Sequence, residues 1–230
     1  KSLGQLRMFH DKTTIIDDTW KADMAHRLKR FRSRHVTRED HAVFDEYISV
    51  YDDLKEKDPI EVNMSSITCH GERYEQDNDG LSWGLADVMM KTEIFDVLAY
   101  LMNFDSPSRQ SCDDGERSII TNIATHSKIV YVSKSKPVHG TTTLDFVNKI
   151  MLHKISSSKW MFVQDPIEHI SKPENEKFVR GKLRGAAIIH EVAPDVIKVT
   201  FFCKVDPTIP LPNSAKTELL LREMQLLVDI

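Results

Sequence analysis

VTFFCKVDPTIPLPNSAKTELLL, residues 199 to 221, is the stretch on which the fold turns. Its first part alternates: Ile197, Val199, Phe201, Cys203 and Val205 fall on one face of an extended chain, and Lys198, Thr200, Phe202 and Lys204 on the other. The first face is built for a dry interior. Pro207, Pro210 and Pro212 lack the N–H that a ladder or a helix interior needs, so the strand ends at Asp206 and the chain turns. Helix resumes at Asn213 or Ser214, either of which can cap it. Leu220, Met224 and Leu227, with Thr217 and Val228 beside them, recur at helical spacing and form an apolar stripe that needs a cover. A sheet is the obvious cover.

Upstream, the first third of the chain is helical. Trp20, Met24, Leu28 and Phe31 are spaced for a helix between Asp17 and Arg34, and Val43, Tyr47, Val50 and Leu54 mark a second over Thr37 to Lys57. After Asp58-Pro59 the period changes. Glu61 to Glu75 and Leu81 to Met90 read as two strands joined across QDNDG, where Asp79-Gly80 suits a turn needing positive φ. Thr92 caps EIFDVLAYLMNF, whose stripe is Ile94, Phe95, Leu98, Leu101 and Met102. Beyond the polar loop DSPSRQSCDDGE, strands are expected at Ser118–His126, Lys128–Ser133, Asp145–Lys154, Lys159–Gln164, Phe178–Ile189 and Val196–Val205. The expectation is a long antiparallel meander closed by one C-terminal helix.

Composition narrows the class. At 230 residues with 40% hydrophobic content, the chain supports one sizeable core. Its net charge of -4 gives no global attraction to nucleic acid, so no nucleic-acid partner is expected. Cys69, Cys112 and Cys203 lack metal-ligand spacing and would leave one unpaired, which favours a reducing, cytoplasmic setting. No apolar run approaches the roughly 20 residues of a membrane span. The chain begins without Met and is read as an excerpt of a longer protein, with other domains as candidate partners.

Three blocks carry a resemblance: VYVSKSKPVHGTTTLDFVNKI (130–150), QDPIEHISKPENEKFVRGKLRGAAII (164–189) and VTFFCKVDPTIPLP (199–212). They resemble successive blocks of a START domain, the steroidogenic acute regulatory protein-related lipid transfer module, through Asp145-Phe146-Val147, the EHISKP loop leading to Val179-Arg180, and the VDP corner. The resemblance runs from about Ile60 to the C-terminus. It implies an α+β helix-grip fold, with a curved antiparallel sheet wrapped around a long C-terminal helix and a tunnel for one hydrophobic molecule. Residues 59–230 would form that domain and 1–58 an N-terminal helical extension. The lining expected from strand and helix is Val199, Phe201, Cys203, Leu220, Met224 and Leu227. The resemblance adds Phe146, Ile150 and Arg180. Sterol-binding members carry an arginine where this chain has Ile150, which predicts a tunnel with fewer polar anchors and argues against a sterol.

Sharper motifs fail. EQDNDG opens like a calcium loop, but its twelfth position is Ala86 where a bidentate Glu belongs. Ten histidines are scattered with no HExxH or His-x-x-x-His pair, so no metal is expected. No GxSxG, P-loop or GxGxxG occurs, and neither a cofactor nor a catalytic residue is expected. Glu168 and His169 are neighbours in a loop, where side chains point different ways. HRLKRFRSRH places Arg27, Lys29, Arg30, Arg32 and Arg34 around an apolar stripe, compatible with transient membrane contact. Flanking acids favour docking of that stripe on the domain instead. Arg180, Lys182 and Arg184 project together from a face expected to be solvated, and for Arg180, which matches an arginine of the family the chain resembles, the plain expectation is an ion pair with a nearby acid. The function expected is non-catalytic transfer or sensing of one lipid. The alternative is a ligand-free regulatory or interaction module of a larger protein.

Overall fold

The structure is a computed structural model that describes residues 18–31, 36–64, 69–74, 79–106, 109, 115–138, 142–174 and 176–225. Two helices open the chain: α1, Asp18–Lys29, and α2, Arg38–Lys55. Thr37 caps α2, its hydroxyl accepting the Asp40 N–H at 3.1 Å. Strands β1, Ile60–Val62, β2, Cys69–Arg73, and β3, Trp83–Met90, follow. Then come α3, Ile94–Met102, and β4, Arg117–Ala124, β5, Ser127–Val138, β6, Thr142–Lys154, and β7, Lys159–Pro166. The chain closes with β8, Val179–Arg180, β9, Lys182–Ala193, β10, Val196–Asp206, and α4, Asn213–Met224.

The strands form one sheet in the order β1-β2-β3-β10-β9-β7-β6-β5-β4. From β4 to β10 the path is the expected meander, interrupted by β8. The first three strands instead attach to the last, with Phe201 opposite Ala86 across β10 and β3. The single strand expected over Glu61–Glu75 is two short ones, β1 and β2, paired antiparallel. Gly80, with φ of 72°, serves the turn before β3 as Asp79-Gly80 predicted. The strand expected over Phe178–Ile189 is broken at Gly181. There the N–H bonds the Asp145 carbonyl at 2.9 Å, so β8 runs parallel to β6 before β9 pairs with β10.

Two caps differ from expectation. Glu93, not Thr92, precedes α3, and the Thr92 hydroxyl donates to the Asp96 carboxylate at 3.1 Å. Pro212, not Asn213 or Ser214, precedes α4, where a missing N–H leaves nothing unsatisfied.

Alternation along the strands feeds two cores, one on each face of the sheet. The concave face carries Val130, Phe146, Ile150, Phe162, Val199, Phe201 and Cys203, covered by Met24 and Leu28 of α1, by α3, and by Leu219, Leu220 and Met224 of α4. The face of β10 expected to be polar is covered too: Phe202 is fully buried under α2, with Phe44, Tyr47, Trp83 and Met161 around it. Four apolar positions of α2 were legible, but Phe44 was not among them. Lys149 of β6 pairs with Asp40 of α2 at 2.5 Å, and the Tyr47 hydroxyl donates to Asp165 Oδ1 at 2.8 Å. Among the described residues no helix is long and apolar enough to cross a membrane.

The α2 seam carries two predictions. Phe202→Ala removes the ring that Tyr51 stacks on at 5.5 Å and should cost about 3 to 5 kcal/mol in urea unfolding. His153 of β6 stacks on Phe44 at 4.7 Å, lies 5.3 Å from His41, and buries an Nδ1 that makes no hydrogen bond among the described residues. Burial, then the nearby His41, holds its pKa below the ordinary histidine range, with Asp45 opposing. The unfolded chain therefore takes up a proton near pH 6.5 or so that the fold resists, and stability falls as pH drops through that value. His153→Phe should lose less stability than wild type between about pH 7 and about pH 5.5. Equal losses in thermal melts at the two pH values would refute the assignment.

Candidate functional site: the concave interior

The proline corner aims α4 back across the concave face. Ala215, Leu219, Leu220 and Met224 turn inward from it, while Thr217 is half-buried. Gly84 of β3 makes the close approach possible, since a Cβ there would run into Met224 Sδ and Leu220. Lys216 Nζ donates to the Gly80 carbonyl at 3.2 Å, and Lys134 of β5 pairs with Glu223 at 3.2 Å. Helix α4 is thus held at both ends.

Of the positions expected to line a tunnel, Phe146, Ile150, Val199, Phe201, Cys203, Leu220 and Met224 all lie in this concave core. Leu227 and Val228 lie outside the described residues. The strand contributes as alternation predicted, and burial, then the Glu223 carboxylate, pushes the Cys203 thiol well above its ordinary pKa. Arg180 is elsewhere. Its guanidinium grips Asp145 through Nε at 2.7 Å and Nη2 at 2.9 Å on the opposite face, and Nη2 also donates to the Lys172 carbonyl at 3.1 Å. The pair with Asp145 is the ion pair expected of Arg180, and the solvated face is corrected at Arg184. Lys182 is exposed, but Arg184 bonds Glu46 of α2 and its guanidinium lies over the Tyr47 ring.

The interior holds polar groups that sequence reasoning missed. A cavity of about 20 Å³ is lined by Phe104, Arg109, Arg117, Val130, Val132, Lys134, Phe146, Asn148, Gln164, Leu183 and Glu223. That volume admits about one water and no acyl chain. Register explains the convergence. Arg117 sits opposite Val132 and Val132 opposite Phe146, so all three point inward; Lys134 lies two residues beyond Val132 on the same face. Arg109 is 3% exposed, and its Nη1 donates to Leu101 O at 2.9 Å and Tyr100 O at 3.4 Å. Asn148 donates to the Leu183 carbonyl at 2.5 Å. The expectation of fewer polar anchors at the lost arginine position is therefore corrected: Ile150 is apolar, but β4, β5, β7 and the segment after α3 bring polar groups to the same interior. The alternation of those strands was visible, and a lysine or glutamine on an inward face was the signal available.

The other motifs weighed in the sequence are used structurally. Asp79 accepts the Leu81 N–H at 3.0 Å and pairs with Lys204 at 2.5 Å, while Glu75 and Asp77 lie outside the described residues. His169 Nδ1 accepts the Ser171 N–H at 3.2 Å in the loop after β7. Arg27 pairs with Asp23 at 2.8 Å, Lys29 lies over Phe95, and Arg32 and Arg34 lie outside the described residues.

No protein-family model and no curated protein sequence matches the chain. Solved structures share its fold. The lipid transfer and protein localization domain of human StarD13 superposes with a TM-score of 0.59 at 12% identity, over 80% of this chain and 95% of its own. Human StAR-related lipid transfer protein 5 gives 0.60 at 13% identity, over 84% and 100%. A STAR-related lipid transfer protein fragment from Xanthomonas axonopodis gives 0.61 at 15% identity, over 74% and 96%. The chain has the helix-grip fold of START domains.

The Arg180–Asp145 pair generates a stability prediction. The Asp145 side chain is 1% exposed, so Arg180→Leu strands a buried carboxylate and should cost about 3 to 5 kcal/mol. Lys182→Leu, on an exposed neighbour, should change urea stability by less than about 0.5 kcal/mol. A mild effect of the first substitution would show that the pair does not hold β8 to β6.

Proposed function

We propose that the chain binds one lipid or other hydrophobic molecule between the sheet and α4, without chemistry, to carry it or to sense it. The observation that carries this reading is the convergence of Arg109, Lys134, Asn148, Gln164 and Glu223 on one cavity inside an otherwise apolar core. Their bonds to carbonyls and to one another offset the roughly 1 to 3 kcal/mol that burying a polar group otherwise costs, so the site keeps placed polar groups at little expense. A lipid pocket needs the same composition: apolar walls and a few placed polar groups. The solved structures of this fold named as lipid transfer proteins support the same reading.

Entry requires movement. The cavity holds about one water, so a ligand must displace α4, which its ion pair to Lys134 and its packing on Gly84 hold closed. Residues 59–230 form the binding domain in this reading, and α1 and α2 of the 1–58 extension cover its two faces. Cytoplasmic residence, transient contact with a membrane during exchange, and attachment to further domains of a larger chain belong to the same proposal.

A second reading has its own observation. The small volume favours a filled core, as in a ligand-free module that regulates or tethers a larger protein.

Met224→Trp separates the two. Met224 is fully buried against Gly84, and enlarging a filled core costs about 1 to 3 kcal/mol. If α4 yields to a guest, the ring takes the guest's place: the variant melts near wild type and no longer takes up a fluorescent acyl probe that wild type binds. A wild type that binds no probe, together with an early-melting variant, would establish the filled core.

A further inference from the structure

We propose that the chain self-associates through the loop between β7 and β8, two copies meeting about a two-fold axis so that Ile170 of each enters a groove on the other. The groove is separate from the concave interior. Phe146 and Leu183 point into the concave core, and their neighbours Val147 and Lys182 face the other way. There Val147 and Lys182, with Pro166, Ile167, Pro173 and Thr208, line a groove of about 910 Å³.

The knob is held out of the fold by an ordered loop. Ile170 is 93% exposed. Before it, the Ile167 N–H donates to the Val147 carbonyl at 3.0 Å; after it, the Ser171 N–H donates to His169 Nδ1 at 3.2 Å and the Lys172 N–H to the His169 carbonyl at 3.0 Å. These bonds close a tight turn that carries Ile170. Lys172 fastens the turn to the sheet, pairing with Glu116 at 2.8 Å and lying 3.9 Å from the Tyr131 ring centroid. A large apolar side chain fixed in water can leave it only against another surface.

The hole is as firmly built. Thr208, which lines it, has a φ of 58°, and a β-branched residue is strained in that left-handed region. Such a conformation persists only where its surroundings hold it. The Thr208 N–H donates to Asp206 Oδ1 at 2.8 Å and its hydroxyl to the Arg180 carbonyl at 2.7 Å. Knob and hole sit side by side on one surface, the arrangement a two-fold contact uses, since each copy offers what the other takes.

Charge points to a second copy as the occupant. Glu168 and Lys182, both exposed, line the groove and make no ion pair among the described residues. A patch with one open acid and one open base is complementary to itself: about a two-fold axis Lys182 of each copy meets Glu168 of the other, and both pairs form at once. A partner segment of a single sign would leave one of the two unmatched.

The test is sedimentation velocity of the full chain over the micromolar range. Wild type should pass from monomer to dimer as concentration rises. Ile170→Asp should weaken the dimer by about thirtyfold or more, the loss of a central anchor. Lys182→Glu and Glu168→Lys should each stay monomeric, because each sets like charges opposite one another in both pairs. All three positions are exposed, so the variants should melt in urea as wild type does. An equimolar mixture of the two charge variants should dimerise again, since opposite charges then face each other in both pairs; mixing would not rescue a merely structural defect. A wild type that stays monomeric, whether the groove then takes another protein or nothing, overturns the proposal. A dimer that survives Ile170→Asp, or a mixture that stays monomeric, overturns it too.

Discussion

Strand β10 buries side chains on both faces, and this sheet has to be covered twice. Val199, Phe201 and Cys203 point into the concave core while Phe202, between them, points into the convex one, and all four are buried. Period-two alternation cannot segregate polar from apolar when helices lie on both sides. The other elements follow from that demand. Helix α2 closes the convex face, and α1, α3 and α4 share the concave one. The early strands β1 to β3 dock on β10 and so convert it from a terminal strand into a central one.

The two faces treat buried charge differently. On the convex side three pairs cross elements: Asp40 with Lys149, Asp145 with Arg180, and Arg184 with Glu46. Tyr47 donates to Asp165 within the same seam, and its own hydroxyl is driven to a higher pKa by burial first and by that carboxylate second. These pairs register α2 and the β8 segment against the sheet. They gain geometry more than net stability, because desolvation offsets most of the Coulomb attraction of a buried pair. On the concave side Lys128 donates to the Met102 carbonyl at 2.9 Å, and Arg109, Arg117, Lys134 and Glu223 line a space too small for more than about one water.

The grip is closed by few and specific contacts. Helix α4 rests on a glycine, and its ends are held by one lysine bond to a turn carbonyl and one ion pair to β5. Each is modest in water-accessible surroundings, of the order of 1 kcal/mol. The buried face of the helix, Ala215, Leu219, Leu220 and Met224, supplies the larger part of its attachment through apolar burial.

Residue order by itself determined most of the strands, the turn at Asp79-Gly80, the exit at Asp206 and the inward set Val199, Phe201, Cys203, Leu220 and Met224. Each depends on chain-local rules: side-chain alternation, helical spacing, and the missing N–H of proline. The three blocks resembling START domains named the fold that the solved structures share. What tertiary structure decided is everything that depends on which elements meet. It placed β3 beside β10, buried Phe202 and Phe44 beneath α2, and turned Arg180 onto Asp145 and out of the interior. It also brought Arg109, Arg117, Lys134 and Glu223 together from positions up to 114 residues apart, 223 less 109, around one cavity. Alternation tells that Lys134 shares a face with Val132. It is silent on whether that face meets water or a helix, because burial is a property of the assembled layers and not of the strand.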